Sequence, residues 1–569
     1  MEITPTEYDV IVIGTGITEC IIAAACSRIG KTVLHLDINR FYGEQWSSFT
    51  LSGLENFVKD GPPCLSGDNF KYKHFMQNLD YIEMPLDQVK KESDVEKSAD
   101  LEVSEPNKEK EDGATAESEA ETIPQKPQWT SEKFQKSKRR VNIDITPKLC
   151  YSAGHMVELL RSSNCSRYLE FKAVNRSFVH HESELIQAPC NREQVFNCKH
   201  LKVLEKRIMM KFVTFALQVD VESEEFQEWD KKEDLELYKY FKLTDSLISL
   251  VQASLVVSNK DKVSAHDAIR SIKHYLKNVG VYGSMPFICP IYGAGELPQA
   301  FARFSAVFGS IYVLDISPSE LKFDESGVFC GVTLQTGQSI KGQYCVVSPN
   351  YSSDSTEGSP EGLISVSHAV YLTDSSIKPK LKVGEQDDIS LIHILSGKMG
   401  NDRAVSGFEF GPRSMLPAED MYMVHLTTPG GDADLPRSDL EAVVDQITCS
   451  THVLYKLFFT TRMSAEGRSV EPSLDNNMIR TSFPTYNAGY SESIEEAKTS
   501  FHLMYPEEEF LPAAPNPEDI KWPEEDESEV VEKEAPSEQQ EDMTEISEKI
   551  VDDIDKTATD ELKGEDVSS

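Results

Sequence analysis

The chain has 569 residues and carries 57 Lys and Arg against 95 Asp and Glu, a formal net charge of −38. Hydrophobic residues make up 39% of it, enough for a sizeable core but low for a chain that is globular throughout. The acidic excess excludes a phosphate-tracking nucleic-acid binder, and no apolar run reaches the length of about eighteen residues that a membrane-spanning helix needs.

The first element is Tyr8-Asp-Val-Ile-Val-Ile-Gly14, a near-continuous β-branched run typical of a strand buried on both faces. Ile21-Ile-Ala-Ala-Ala-Cys26 reads as a helix of small residues packed close on a sheet, and Lys31-Thr-Val-Leu-His-Leu-Asp37 as a second buried strand. Together they open a βαβ unit. From Lys90 to Pro127 there are twelve acidic and six basic side chains and almost no aromatics, which predicts a disordered insertion. Order resumes near Val141-Asn-Ile-Asp-Ile145, followed by a helix at His155 to Leu160 and a strand at Arg167 to Phe171. Leu201 to Ala216, Leu235 to Val257 and Ala265 to Val279 set apolar residues three and four apart. This predicts a helical block with short connections, forming a second domain inserted into the first. Strands return at Ile311–Leu314, Gly331–Leu334 and Tyr344–Val347, and the alternation from Ile364 to Tyr455 predicts more of them. Pro512-Ala-Ala-Pro-Asn-Pro517 closes the folded part; from Lys521 onward nineteen acidic side chains against five basic make an acidic tail.

Gly14-Thr-Gly16-Ile-Thr-Glu19 stands where a dinucleotide fingerprint belongs, between a buried strand and a helix, and Asp37 ends the next strand where an acid would take a ribose hydroxyl. The third fingerprint position calls for Gly or Ala and holds Glu19 instead. A carboxylate there suits the positive end of the helix dipole and repels a pyrophosphate using the same helix end. The loop therefore reads as retained architecture with its pocket filled, and no cofactor is expected. A flavin-dependent oxidoreductase is the rival reading. The His residues are dispersed, no metal-ligand spacing occurs, and no catalytic constellation stands out. The eleven Cys lack Cys-x-x-Cys spacing and the N-terminus lacks a basic n-region, so the chain is read as cytosolic with reduced thiols.

Several segments resemble the family of Rab GDP-dissociation inhibitors and Rab escort proteins. The opening block is Gly14 to Glu19, Leu36-Asp-Ile-Asn-Arg40 and Phe41-Tyr-Gly43. The second is Asn142-Ile-Asp-Ile145 with Arg167-Tyr-Leu-Glu-Phe-Lys172; the third is Tyr282-Gly-Ser-Met-Pro-Phe287, Tyr292-Gly-Ala-Gly-Glu-Leu-Pro-Gln299 and Phe301-Ala-Arg303. Pro189 to Asn197, Leu204-Glu-Lys-Arg207, Met210-Lys-Phe212 and Ala514 to Ile520 resemble the escort branch, as does the acidic insertion. The resemblance implies an α/β, flavoprotein-like dinucleotide-fold domain without flavin and a smaller inserted helical domain. The large domain takes residues 1–89, 141–200 and 281–512, the helical domain 201–280, the disordered insertion 90–140 and the tail 513–569. It further implies a non-catalytic component that holds unprenylated, GDP-bound Rab GTPase and presents it to the Rab geranylgeranyltransferase α/β heterodimer. The same component shields the geranylgeranyl groups of the product and touches membranes transiently. A recycling inhibitor that extracts lipidated Rab is the alternative within the family. Carried over residue by residue, the Rab-binding platform is Phe41, Glu296, Gln299, Arg303, Tyr312 and Val313. The transferase anchor is Tyr275, and the mobile effector loop includes Tyr282, Gly283 and Phe287.

Overall fold

Residues 10–13 alternate between two apolar environments: Val10 and Val12 face one cluster, Ile11 and Ile13 the other. Two-sided burial of this kind makes β1 (Glu7–Ile13) a central strand. It leads through α1 (Ile17–Arg28) to β2 (Val33–Asp37), which pairs with it in parallel. β3 (Ile311–Leu314) adds to the far side of β2 and forms the sheet edge; β4 (Ser339–Val347) adds to the other side of β1. The antiparallel strands Phe329–Leu334 and Pro318–Phe323 extend the sheet beyond β4, and Met478–Arg480 pairs with the last residues of β4. This is the doubly wound arrangement in which ligands bind beyond the carboxyl ends of the strands. The computed structural model describes residues 2–61, 71–84, 129–181, 184–190, 192–229, 232–258, 262–352, 362–377, 389–430, 435–465 and 471–513.

An eight-stranded sheet, mostly antiparallel, lies beside the first, with Leu363–Thr373 and Val453–Ser464 as its long strands. Its alternation serves two covers. Val370, Leu372, Leu391, Phe408, Met423 and Phe459 face one apolar cluster; Ala369, Tyr371, Ile392, Val424, Leu426 and Phe458 face another. The second face is closed by a helix at Pro436–Ile447, inside the stretch read from sequence as strands throughout. Pro436 suits a helix start, and Leu440, Val443, Val444 and Ile447 recur at helical spacing, so the chain leaves the sheet there to cover it.

The other face is closed by the helical block, whose longest helices are α2 (Val203–Gln218) and α3 (Ala265–Asn278) and which meets the sheet through the helix Asp245–Val251 and the turn after it. α3 starts cleanly because Ser264 accepts a hydrogen bond from the Asp267 N–H at 3.0 Å. Its Ala265, Ala268, Ile269, Ile272 and Tyr275 form one buried stripe. The block's apolar side chains join those of the sheet in one continuous cluster. Between the two lies a turn of π-helix at Gln252–Val256, which ends the helix Asp245–Val251.

Two boundaries differ from the sequence reading. Residues 129–140 belong to the folded body: Thr130 caps a helix at Ser131–Ser137, and the Trp129 and Phe134 rings enter the main core. Lys138 is buried there between Glu55 and Glu83, 2.9 Å from each. The rest of the expected disordered insertion, 90–128, lies outside the described residues, as do residues 514–569 of the expected tail. Arg167 lies in a 3-10 turn, Cys165–Tyr168, set off by Asn164 in the left-handed region, and the strand begins only at Phe171. Among the described residues no helix is long and apolar enough to cross a membrane, and no group of side chains could hold a metal.

α4 (Glu296–Val307) and α5 (Ser491–Met504) complete the layer around α1, with Leu297, Phe301, Ile494, Ala497 and Phe501 buried against it. In the helical block Phe212 is fully buried, with the Tyr238 and Phe241 rings each 5.5 Å away. Phe212→Ala should cost roughly 3–5 kcal/mol, read as a lower midpoint in denaturant with an unchanged slope.

Candidate functional site

The glycine loop leaves β1 as Gly14 adopts φ +97°, with Ser348 so close that a side chain at position 14 has no space. Gly16 precedes α1, and the Glu19 side chain folds back over it, filling the position that a Cβ on Gly16 would need. Glu19 bonds to its own backbone N–H and accepts a short hydrogen bond from the Thr481 hydroxyl. The helix end that would bind a pyrophosphate is thus answered by the chain itself.

Asp37 is equally occupied. It accepts from the Thr15 N–H and hydroxyl at 3.0 and 2.6 Å, from the Asn39 N–H and amide at 2.8 Å each, and from the Tyr351 hydroxyl at 3.1 Å. Glu44, in the next turn, accepts from the Ser348 hydroxyl at 2.5 Å and the Asn350 amide at 3.3 Å. Glu496 on α5 accepts the Ser482 N–H at 2.7 Å and approaches the Thr18 hydroxyl. No Lys or Arg forms an ion pair with any of these four acids among the described residues. Desolvation raises Glu19 to about 8, Glu496 to about 7 and Asp37 to about 6, and pushes Glu44 well above its ordinary value. These residues do not fit a dinucleotide, because the helix end is covered, the ribose acceptor is saturated and the surroundings are acidic.

The acids hold protons in the folded chain that the unfolded chain releases above about 4.5, the ordinary value for Glu. Stability should therefore fall as pH rises from about 5 to about 8, the window set by Glu19. Glu19→Gln should flatten this dependence and raise the melting temperature at pH 8, which thermal melts across that range would read.

The six residues assigned to the partner platform gather around the sheet edge and α4, in different settings. Glu296 opens α4 half-buried, and burial raises its pKa. Gln299 is exposed and bonds back to the Gly295 carbonyl at 3.2 Å. Arg303 is exposed, its guanidinium 5.0 Å above the Tyr168 ring. At spacings of three and four residues they share one face of the helix. Tyr312 and Val313 are neighbours on β3 and so point to opposite faces: Tyr312 lies against His35 and Tyr42, Val313 against the other apolar cluster. Phe41 is half-buried, its ring 4.7 Å from Phe49 and 5.5 Å from Phe57.

Sequence reasoning missed what supports this surface. Asp144 accepts from the Ser48 hydroxyl at 2.5 Å and the Ala294 N–H at 3.0 Å, and Ser48 accepts from the Gly295 N–H at 2.9 Å. These bonds fix the start of α4. Only the position of Asp144 within Asn142-Ile-Asp-Ile145 hinted at it.

Two assigned residues are placed otherwise than expected. Tyr275 has no exposed surface: its hydroxyl is 3.6 Å from the Met285 sulfur and its ring 5.9 Å from Phe287. It sits on the buried inner stripe of α3. Phe287 is also fully buried and opens the strand Phe287–Pro290, its ring 4.7 Å from that of Tyr151 and tilted to it, so it belongs to the body and not to a loop. Tyr282 is 62% exposed, and the turn around Gly283 is closed by a 3.0 Å bond from the Gly280 N–H to the Gly283 carbonyl. The exposed large apolar side chains of the helical block include Val203 and Leu204 at the start of α2, 69% and 67% exposed, together with Leu217 and Tyr240.

A family model described as GDP dissociation inhibitor matches residues 4–82 and 121–391, and one described as RAE1/2 domain I, C-terminal region, matches residues 366–486. The chain belongs to the GDP dissociation inhibitor family. Within it, the chain is 30% identical to Rab proteins geranylgeranyltransferase component A 2 of Mus musculus, over 91% of this chain and 98% of the mouse protein. It is 31% identical to component A 2 of Homo sapiens, over 91% of this chain and 93% of the human one. A crystal structure of RAB GDI from Plasmodium falciparum shares the fold with a TM-score of 0.61 at 18% identity, covering 88% of this chain and 98% of that one.

Proposed function

We propose that this chain is a Rab escort protein, the non-catalytic component A of a Rab geranylgeranyltransferase. It binds a newly made Rab GTPase in its GDP form, presents the Rab C-terminal cysteines to a separate α/β transferase heterodimer, and delivers the lipidated product to membranes. The observation that carries this reading is the match to component A proteins along nearly the whole length of both chains. The filled glycine loop agrees with it, since a dinucleotide fold whose loop acids are held by the chain's own hydroxyls is free to serve as a scaffold.

The physical need for such a carrier is plain. A prenyl chain gains about 0.8 kcal/mol for each methylene it buries, so a doubly lipidated protein in water aggregates unless shielded. The helical block, with an interior of Phe212, Leu247, Ile248 and Ile269, is the source of apolar surface for that task. The Rab globular face meets Glu296, Gln299 and Arg303 with Phe41 and the β3 edge. With Tyr275 buried, the transferase contact is assigned to the exposed start of α2 at Val203 and Leu204.

Mixing the protein with unprenylated Rab-GDP, geranylgeranyl diphosphate and the transferase heterodimer tests the reading. Lipid incorporation should depend on this chain; Rab binding without such dependence would move it to the recycling inhibitors. Arg303→Ala should weaken Rab binding about tenfold with an unchanged melting temperature. Leu204→Asp should reduce transferase engagement and leave Rab affinity as it was.

A further inference from the structure

We propose that Glu44 and Asp37 are positioning residues for the Rab-facing segment: the acids that fill the dinucleotide loop clamp the turn that carries Phe41. The inference rests on the platform reading above, and concerns residues that touch no partner themselves.

The segment Ile38–Trp46 crosses directly over the glycine loop and is fixed at both ends. At its start, Asp37 binds the Asn39 N–H and amide at 2.8 Å each, and the Ile38 N–H donates to the Tyr351 hydroxyl at 3.0 Å, which itself donates to Asp37. The Asn39 amide continues to the Tyr72 hydroxyl at 2.9 Å. At its end, Asp37 holds the Thr15 hydroxyl, and that hydroxyl accepts from the Gly43 N–H at 2.9 Å. Glu44 follows at φ +47°, a left-handed conformation that a non-glycine residue adopts only when its surroundings require it. What requires it is the side chain, which must turn inward to reach Ser348 and Asn350, residues that continue β4. Phe41 lies between these two anchors, so its ring is set against Phe49 and Phe57 by contacts made in the former cofactor site.

The clamp needs an uncharged Glu44. The groups facing it are Glu19 and Cys20 from α1, Asp37 from β2, and the hydroxyls of Tyr72 and Tyr351. None is a cation. Its Oε1 points toward Gly14 and is buried without a hydrogen-bond partner, which a carboxylic acid tolerates far better than a carboxylate. Ionising Glu44 beside Asp37 and Glu19 would drive like charges together and open the turn.

Rab-GDP affinity and hydrogen exchange of the full chain at about pH 7 test this with four proteins. Glu44→Gln, which keeps the shape and cannot ionise, should bind as the wild type and show wild-type exchange of amides 38–46. Glu44→Ala should bind several-fold more weakly, and those amides should exchange faster in it. Arg303→Ala separates the two ideas: wild-type affinity in that variant rejects the platform, while the exchange experiment still judges the clamp without any Rab. Unchanged exchange in Glu44→Ala, or weakened binding with faster exchange in Glu44→Gln, would overturn the proposal. Should Glu44→Ala fail to fold, Glu44→Gln decides alone.

Discussion

The first turn of a helix leaves backbone N–H groups without partners, and how α1 meets that demand governs much of this molecule. In a dinucleotide-binding protein the partner is a phosphate brought from outside. Here it is the Glu19 side chain, folded back over Gly16 and held from across the sheet by Thr481. Once that carboxyl occupies the helix end, the acid at the end of β2 has no ribose to bind and turns to Thr15, Asn39 and Tyr351. Glu44 closes the same space from the other side. Burial then raises the pKa of each of these acids, since nothing nearby carries a compensating positive charge.

A filled loop frees the outer surface for other work. β3 and α4 sit at the edge of the parallel sheet, and their polar and aromatic side chains are supported from behind by Tyr168, Tyr42, His35 and the Asp144–Ser48 pair. The helical block shares one apolar cluster with the eight-stranded sheet. The side chains inside that block are continuous with the sheet's own core, so its packing is tied to that of the whole body.

The parallel core was legible because its signal is local. Tyr8 to Gly14, Ile21 to Cys26 and Lys31 to Asp37 each announce their burial by composition, and α2 and α3 by spacing. The helix Pro436–Ile447 was hidden because Val443, Val444 and Ile447 suit either element, and only the need to cover one sheet face decides between them. Tyr275 and Phe287 were misplaced because an aromatic at helical or strand spacing looks the same whether it faces in or out; their mutual contact is a tertiary fact. Glu19 was read as hostile to a phosphate, but its hydrogen-bond partner, Thr481, lies 462 residues away. The same distance effect hid the Glu44 contact with Ser348, 304 residues further on, so sequence showed an ordinary turn where the structure has an anchor.

Gly14 carries a lesson about how such loops are read. Its φ of +97° and the nearness of Ser348 leave glycine as the residue that fits, and neither constraint involves a ligand. Gly16, at φ −60°, carries no such backbone constraint, and what lies over it is the movable carboxyl end of Glu19. A glycine at the start of such a loop can therefore be required by backbone conformation and close packing alone, whatever the pocket beyond it holds.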